Sequence, residues 1–394
     1  MSTAEGVGGS SSPEALALGD VLTFFGTVAD YAAGSLPEDG ARIASLAVAM
    51  GRLSGLPQEN LDALYFAARL RNAGALGNAA FAKGEQLPER SLVMQRWDIP
   101  ADGARICERI SALPGATADI VRWQAECWDG TGYPDQLRWS GIPRAAQLLH
   151  IACTYVSIPE PEDGLSTVSR ETGRTFSPEE ARTFVMWYHT TNGEIDVVEP
   201  PFEALQTGKT APALVIDMLS ERIDAHNGTP LRAQRIARRA GELGRALNVD
   251  AKELRRVQTA ALLFGIGEIR APALESAQFD PLARLGIETR ANHAIAAANL
   301  VAGCPYIADV APVLRARSEW YDGTGRPDAL RHEAIPRAGH LLAVAIAFDA
   351  LEEAYRSRIT EERTLPLARL ETVSGTQFDP EAIRALGQIV KAHA

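Results

Sequence analysis

Two short loops carry the residue patterns most capable of chemistry in this sequence. Asp129-Gly130-Thr131-Gly132-Tyr133-Pro134-Asp135 and Asp322-Gly323-Thr324-Gly325-Arg326-Pro327-Asp328 share the pattern D-G-T-G-x-P-D. A carboxylate and a hydroxyl so close together could form a recognition surface for a partner or a nucleotide. They could equally satisfy turn amides, with glycine supplying positive φ, so that the loop only shapes the fold. The four cysteines, Cys107, Cys127, Cys153 and Cys304, form no C-x-x-C pair. That gives no support to a zinc ribbon or a dithiol oxidoreductase. Scattered cysteines fit a reducing compartment, and a cytoplasmic location is expected.

The loops belong to a longer repeat, which sets the elements that must position them. Trp128–Ala152 and Tyr321–Ala345 align without a gap, and fifteen of these twenty-five positions are identical. The same offset of 193 places Arg42-Ile43 on Arg235-Ile236 and Gly74 on Gly267. Thr175-Phe176-Ser177-Pro178 falls on Gln377-Phe378-Asp379-Pro380 at an offset of 202, so the second copy is longer there by nine residues. A chain of 394 residues suits two domains at roughly 100–200 residues each. Apolar residues at 43, 46, 47, 50 and 53 follow the spacing of one buried helix face, and Leu61–Leu70, Ala233–Leu247 and Leu254–Phe264 continue it. Ser12-Pro13-Glu14, Ser177-Pro178-Glu179 and Asp379-Pro380-Glu381 read as capped helix starts.

The expected fold class is therefore all-α: two tandem helical domains related by internal duplication. Equivalent faces could pack as a pseudo-dimer. The expected division is a disordered tail over 1–12, domains over 13–191 and 213–394, and a Pro- and Gly-broken linker over 192–212. A net charge of -11 argues against a nucleic-acid partner. No uninterrupted apolar run reaches the ~18 residues of a membrane span, so no membrane role is expected.

The pattern D-G-T-G-Y-P-D, followed by Ile142-Pro143 and an apolar helix, resembles the GYP half of HD-GYP domains, a subgroup of the HD phosphohydrolase superfamily. Asp322–Asp328 with Ile335-Pro336 repeats the match, with Arg326 in place of the tyrosine, and Gly375–Pro380 is similar as well. The resemblance spans about residues 20–190 and 213–386. It implies hydrolysis of cyclic di-GMP by a cluster of iron or manganese ions held by histidines and aspartates, including an adjacent His-Asp pair. Such ions activate water and hold a phosphodiester during in-line attack. It also implies that the loop contacts GGDEF-type domains, an inheritance that Arg326 puts in question for the second copy.

Aligned on that pattern, the ligand positions carry other residues. The His-Asp stretch falls on Arg71-Asn72 and on Phe264-Gly265, and no His-Asp dipeptide occurs in the chain. An earlier histidine position falls on Asp39 and Arg232. The adjacent histidines before the loop fall on Gln124-Ala125 and Arg317-Ser318, and the aspartate after it on Cys153 and Ile346. His293 alone keeps a family histidine position, opposite Ile99 or Pro100 of the first copy. His150, His189, His332 and His340 match none. Arg71, Arg232 and Arg317 bring positive charge that opposes cations. They are expected either to pair with local acids such as Glu126 and Glu319 or to offer planar forks to phosphate. Trp123, Trp128 and Trp320 read as core or pocket wall, and Asp349 as bonded within the fold.

The resulting expectation is a catalytically inactive signalling or scaffold protein without cofactors, acting by binding a protein partner. Two alternatives stand beside it: a metal-dependent phosphodiesterase with unrecognised ligands, and a metal-free sensor of cyclic di-GMP or another nucleotide.

Overall fold

A computed structural model describes residues 11–77, 89–270, 287–356 and 365–392. Most of the tail expected at 1–12 lies outside the described residues. The chain forms two compact units, the first ending at Val215 and the second beginning at Ile216. Among the described residues no strand forms, only isolated bridges at Thr172–Phe176 and Ser374–Phe378, which correspond between the copies.

The first unit holds α1 (Pro13–Ala33), α2 (Asp39–Leu53), α3 (Gln58–Leu70), α4 (Glu89–Glu108), α5 (Thr117–Trp123), α6 (Arg144–Val156), α7 (Pro161–Arg170) and α8 (Pro178–Thr191). The second copy runs through α9 (Pro212–His226), α10 (Arg232–Ala246), α11 (Ala251–Leu263), α12 (Ile287–Ala302), α13 (Ala311–Ala316), α14 (Arg337–Arg356), α15 (Leu365–Glu371) and α16 (Pro380–Ala392). The bounds of α2 and α3 reappear in α10 and α11 at the 193-residue offset.

Local signals set these ends. The Ser12 hydroxyl accepts from the Ala15 amide at 3.2 Å, Pro13 opens α1, and Gly34 closes it at φ 85°. Ser177 and Asp250 cap α8 and α11 in the same way. On α2 the buried face is Ile43, Leu46, Ala47 and Met50, while Arg42 and Arg52 point outward. By length and composition α1 could cross a membrane, but most of its apolar window is buried in the fold, among Leu18, Leu22 and Phe25.

Close helix crossings bring the functional positions together. A Cβ at Gly26 of α1 would overlap the Arg69 carbonyl of α3, so the two backbones touch one turn from Asp30. A Cβ at Gly74 would overlap the Ile99 carbonyl, and one at Gly267 the His293 carbonyl. The matching contact makes His293 equivalent to Ile99 rather than to Pro100.

Residues 192–212 do not hang free of the first unit. The Val198 amide donates to Ser45 Oγ at 3.0 Å, Phe202 covers Gly19, and the Gln206 amide donates to the Ala112 carbonyl at 2.9 Å. The Pro and Gly content that reads as a spacer here serves a strap laid across the helices.

Candidate functional site

The two D-G-T-G loops are built alike. Asp129 Oδ1 accepts from the Thr131 amide at 2.9 Å and the Thr131 hydroxyl at 2.6 Å; Asp322 does so from Thr324 at 2.9 and 2.7 Å. Gly130 and Gly323 adopt φ 80° and 81°. Tyr133-Pro134 and Arg326-Pro327 are cis. Glu126 accepts from the Asp135 and Leu137 amides at 2.7 and 3.0 Å, and Glu319 from the Asp328 and Leu330 amides at 2.6 and 3.1 Å. A bidentate pair closes each loop, Arg122 on Asp135 at 2.7 and 2.9 Å and Arg315 on Asp328 at 2.7 and 2.6 Å. The Trp123 indole also donates to Asp135, at 2.8 Å, so it serves the loop.

The later motif is part of the same structure. Trp128 and Asp129 amides donate to the carbonyls of Thr175 and Arg174 at 3.0 and 2.9 Å. Tyr321 and Asp322 bind Gln377 and Thr376 at 3.1 and 2.9 Å. The aspartates, the threonine and the glutamate of each loop thus have internal partners.

Behind the first loop, the aligned positions surround one buried acid. Asp30 is 1% exposed; its carboxylate accepts from Arg71 at 3.1 Å and Asn72 at 2.9 Å. The Gln124 amide donates to the Arg71 carbonyl at 2.8 Å. Burial raises the Asp30 carboxyl above its ordinary range, against the opposing Arg71, Asn72 and Arg69. Burial also pushes the Cys153 thiol up to about 11, with Arg71 opposing and Asp30 adding. Asp39 is not part of this group. It accepts from the Leu36 amide at 3.0 Å and pairs with Arg42 at 3.9 Å, holding the turn before α2. Ala125 contributes only its carbonyl, to the Tyr133 amide at 3.2 Å, as Ser318 does to Arg326 at 3.2 Å.

The second copy fills the equivalent space differently. Arg232 pairs with Glu268 at 3.3 Å and stands over the Phe264 ring at 4.9 Å. Arg317 lies 5.5 Å from the same ring centroid and donates to the Phe264 carbonyl. Burial brings the Arg317 guanidinium down to about 10, Glu268 opposing and Arg232 adding. His293 is lowered by burial, with Glu268 opposing and Arg317 adding. Gly265 offers its carbonyl to Asn227 at 3.0 Å. Ile346, on α14, has no polar group to contribute. Asp349 accepts from two nitrogens of Arg235, Nε at 2.7 Å and Nη2 at 3.2 Å, and stands 4.0 Å from Arg232.

The arginines therefore do not pair with Glu126 and Glu319, which are committed to loop amides. Their acids are Asp30 and Glu268, which the sequence reading did not single out. The residues at the aligned positions do not fit a metal cluster. Among the described residues no group of three or more His, Cys, Asp or Glu side chains comes together, and guanidinium groups stand where ligands would be needed.

The HD domain family model matches residues 28–165 and again 213–382. The chain belongs to the HD domain family. Similar proteins include the cyclic di-GMP phosphodiesterase response regulator RpfG of Xanthomonas campestris, 30% identical over 161 residues, which is 40% of this chain and 43% of the relative. A cyclic di-GMP phosphodiesterase of Thermotoga maritima is 24% identical over 179 residues, 45% of this chain and 48% of that one. The 3'3'-cGAMP-specific phosphodiesterase 3 of Vibrio cholerae is 25% identical over 291 residues, covering 69% and 62%. The alignments thus span less than two thirds of the curated relatives' lengths. In fold, this HD-domain chain is similar to the crystal structure of a cyclic GMP-AMP-specific phosphodiesterase from V. cholerae, with TM-score 0.67, 17% identity and 95% and 97% coverage. These relatives are of the HD-GYP type, in accord with the D-G-T-G loops.

Proposed function

We propose that this protein is a non-catalytic member of its family that acts by binding a protein partner in cyclic-dinucleotide signalling. One observation carries the reading: Arg71 and Arg317 are buried at aligned ligand positions. A buried guanidinium opposes a metal cation by direct repulsion, and it also fills the space. The D-G-T-G loops are self-supporting, so they offer a rigid surface to a partner such as a GGDEF-type domain without any help from a metal. The test combines metal analysis of the purified chain with hydrolysis assays of cyclic di-GMP and 3'3'-cGAMP in added iron and manganese. Substoichiometric metal and no turnover are expected. Stoichiometric metal with turnover would overturn the reading.

A metal-free nucleotide sensor is the second reading, favoured by the buried guanidinium of Arg317, which donates to the Phe264 carbonyl and makes no ion pair of its own among the described residues, beside Arg232. Calorimetry with cyclic di-GMP on the wild type, Arg232→Ala and Arg317→Ala separates the two. Binding weakened by both substitutions supports the sensor, and no binding to the wild type removes it.

A further inference from the structure

The turn after each D-G-T-G loop is the same backbone carrying different side chains. Trp139 and His332 both adopt left-handed φ, 51° and 50°, and their amides donate to the Trp128 and Tyr321 carbonyls at 3.1 Å. In the second copy the two residues of this turn are engaged within the unit. Arg331 donates to the Asp322 carbonyl at 2.9 Å, and the His332 ring stands 4.7 Å from that of Tyr321. In the first copy they are not. The Arg138 side chain crosses Gly130 and makes no hydrogen bond or ion pair among the described residues. Trp139 is 61% exposed. Left-handed backbone disfavours a bulky side chain, and an exposed indole gains little from folding. Neither packing nor backbone preference therefore accounts for a tryptophan here. Tryptophan and arginine are the side chains that most often anchor protein interfaces.

The first unit also carries a surface of complementary chemistry. An open cleft of about 390 Å³ is lined by Glu160, Glu162 and Asp163 at the start of α7, and by Pro161 and Tyr188. Trp139 stands near the other end of that helix. Its amide binds Trp128, whose own amide donates at 3.0 Å to the carbonyl of Thr175, in the turn that follows α7. The surface along α7 thus runs from acids to bases. Arg170 closes the helix and Arg174 follows it, the two sharing Glu171 at 3.5 and 3.6 Å. Two such helices placed antiparallel set the acidic end of each against the basic end of the other, as a twofold contact requires. We propose that this protein self-associates through its first unit, with α7 of two copies antiparallel. The Trp139 indole of each copy enters the cleft of the other, and Arg138 meets the carboxylates there. Pro161 and the Tyr188 ring supply the apolar wall that an indole needs, and the acids supply partners for guanidinium. Self-association neither requires nor excludes a metal or a further partner, so it can fail without the proposed function failing.

Sedimentation velocity of the full chain over a wide range of concentration reads the association, and a concentration-dependent dimer is expected. Trp139→Gly should weaken it at least tenfold, the scale of an interface anchor, without lowering the melting temperature, because glycine accepts the left-handed backbone. Trp139→Asn repeats the test with a residue that also tolerates that conformation. His332→Gly, the matched change in the second copy, should leave the dimer unchanged. Arg138→Glu should weaken it, as should Glu162→Arg combined with Asp163→Arg. An equimolar mixture of those two variants should regain it, because both contacts of the mixed dimer are then complementary in charge. A monomer at every concentration would overturn the proposal. So would a dimer that Trp139→Gly and Trp139→Asn leave intact, or a mixture that associates no better than its two components.

Discussion

The two copies keep the same loop and fill the space behind it in different ways. Around the D-G-T-G loops, equivalent donors and acceptors meet within a few tenths of an ångström, down to the glutamate that takes two amides. Behind them, the first copy buries a single acid, Asp30, against Arg71 and Asn72; the second places Arg232 and Arg317 around Glu268 and Phe264. The loop's constraints are internal: its side chains bond to backbone and to one another within the loop and the helix before it, so changing one strands another. The space behind has a looser requirement. Any set that fills volume and balances charge suffices, and two duplicated sequences found two such sets.

Burial depth gives the largest test of that contrast. Asp30→Ala should leave Arg71 buried with only the Ala68 carbonyl, at 3.0 Å, as acceptor. Breaking a buried pair by deleting one partner costs about 3–5 kcal/mol. Glu268→Ala removes a partner from a pair whose side chains are 21% and 26% exposed, and about 1 kcal/mol is expected. Calorimetry, with hydrogen exchange assigning each loss to its unit, checks both. Equal losses would mean that the two pockets are held alike.

The second test uses Asp224, whose carboxylate accepts from the Ala233 amide at 2.8 Å near the start of α10. Burial raises its carboxyl to about 6 from an ordinary 3.8. The folded state thus binds its proton more tightly than the unfolded state. The stability it contributes is fully present below about pH 4 and is lost as pH rises through about 6. Asp224→Asn, whose amide oxygen can still accept from Ala233, should flatten that slope in the second unit. The first copy has Tyr31 at the equivalent position and should not respond. A slope unchanged in Asp224→Asn would assign the proton elsewhere.

What was legible in the sequence follows the same division. Helix ends were readable because caps are local: Ser12, Ser177 and Asp379 precede Pro and acids, and the structure starts helices there. The loops were readable because duplication displays them twice. The acids behind them were not. Asp30 lies forty-one residues from Arg71, and only the crossing at Gly26 brings them together. Glu268 lies thirty-six residues after Arg232, and nothing local says that the two meet. Glu319 reads as a partner of Arg317 because it lies two residues away in sequence, while its carboxylate goes to the Asp328 and Leu330 amides. His293 shows the converse case: its equivalent in the first copy was ambiguous by counting and becomes Ile99 once Gly74 and Gly267 are seen to touch matching carbonyls.

If the loops really are one structure made twice, matched substitutions in them should cost the same. Glu126→Gln and Glu319→Gln each keep one carbonyl acceptor but lose the second. One loop amide in each copy, that of Asp135 or Leu137 and that of Asp328 or Leu330, then lacks its partner. A stranded buried donor costs about 1–3 kcal/mol, and the new amide's own hydrogens face amides that also donate, so neither copy can compensate. Both carboxyls are raised chiefly by burial, with the loop amides opposing, so charge alone does not distinguish the two. The expected result is two melting shifts of equal size, one in each unit. A large shift for Glu126→Gln beside none for Glu319→Gln would show that Arg326, by reaching Glu288 at 3.3 Å and the Gly325 carbonyl at 3.0 Å, has given the second loop a support of its own.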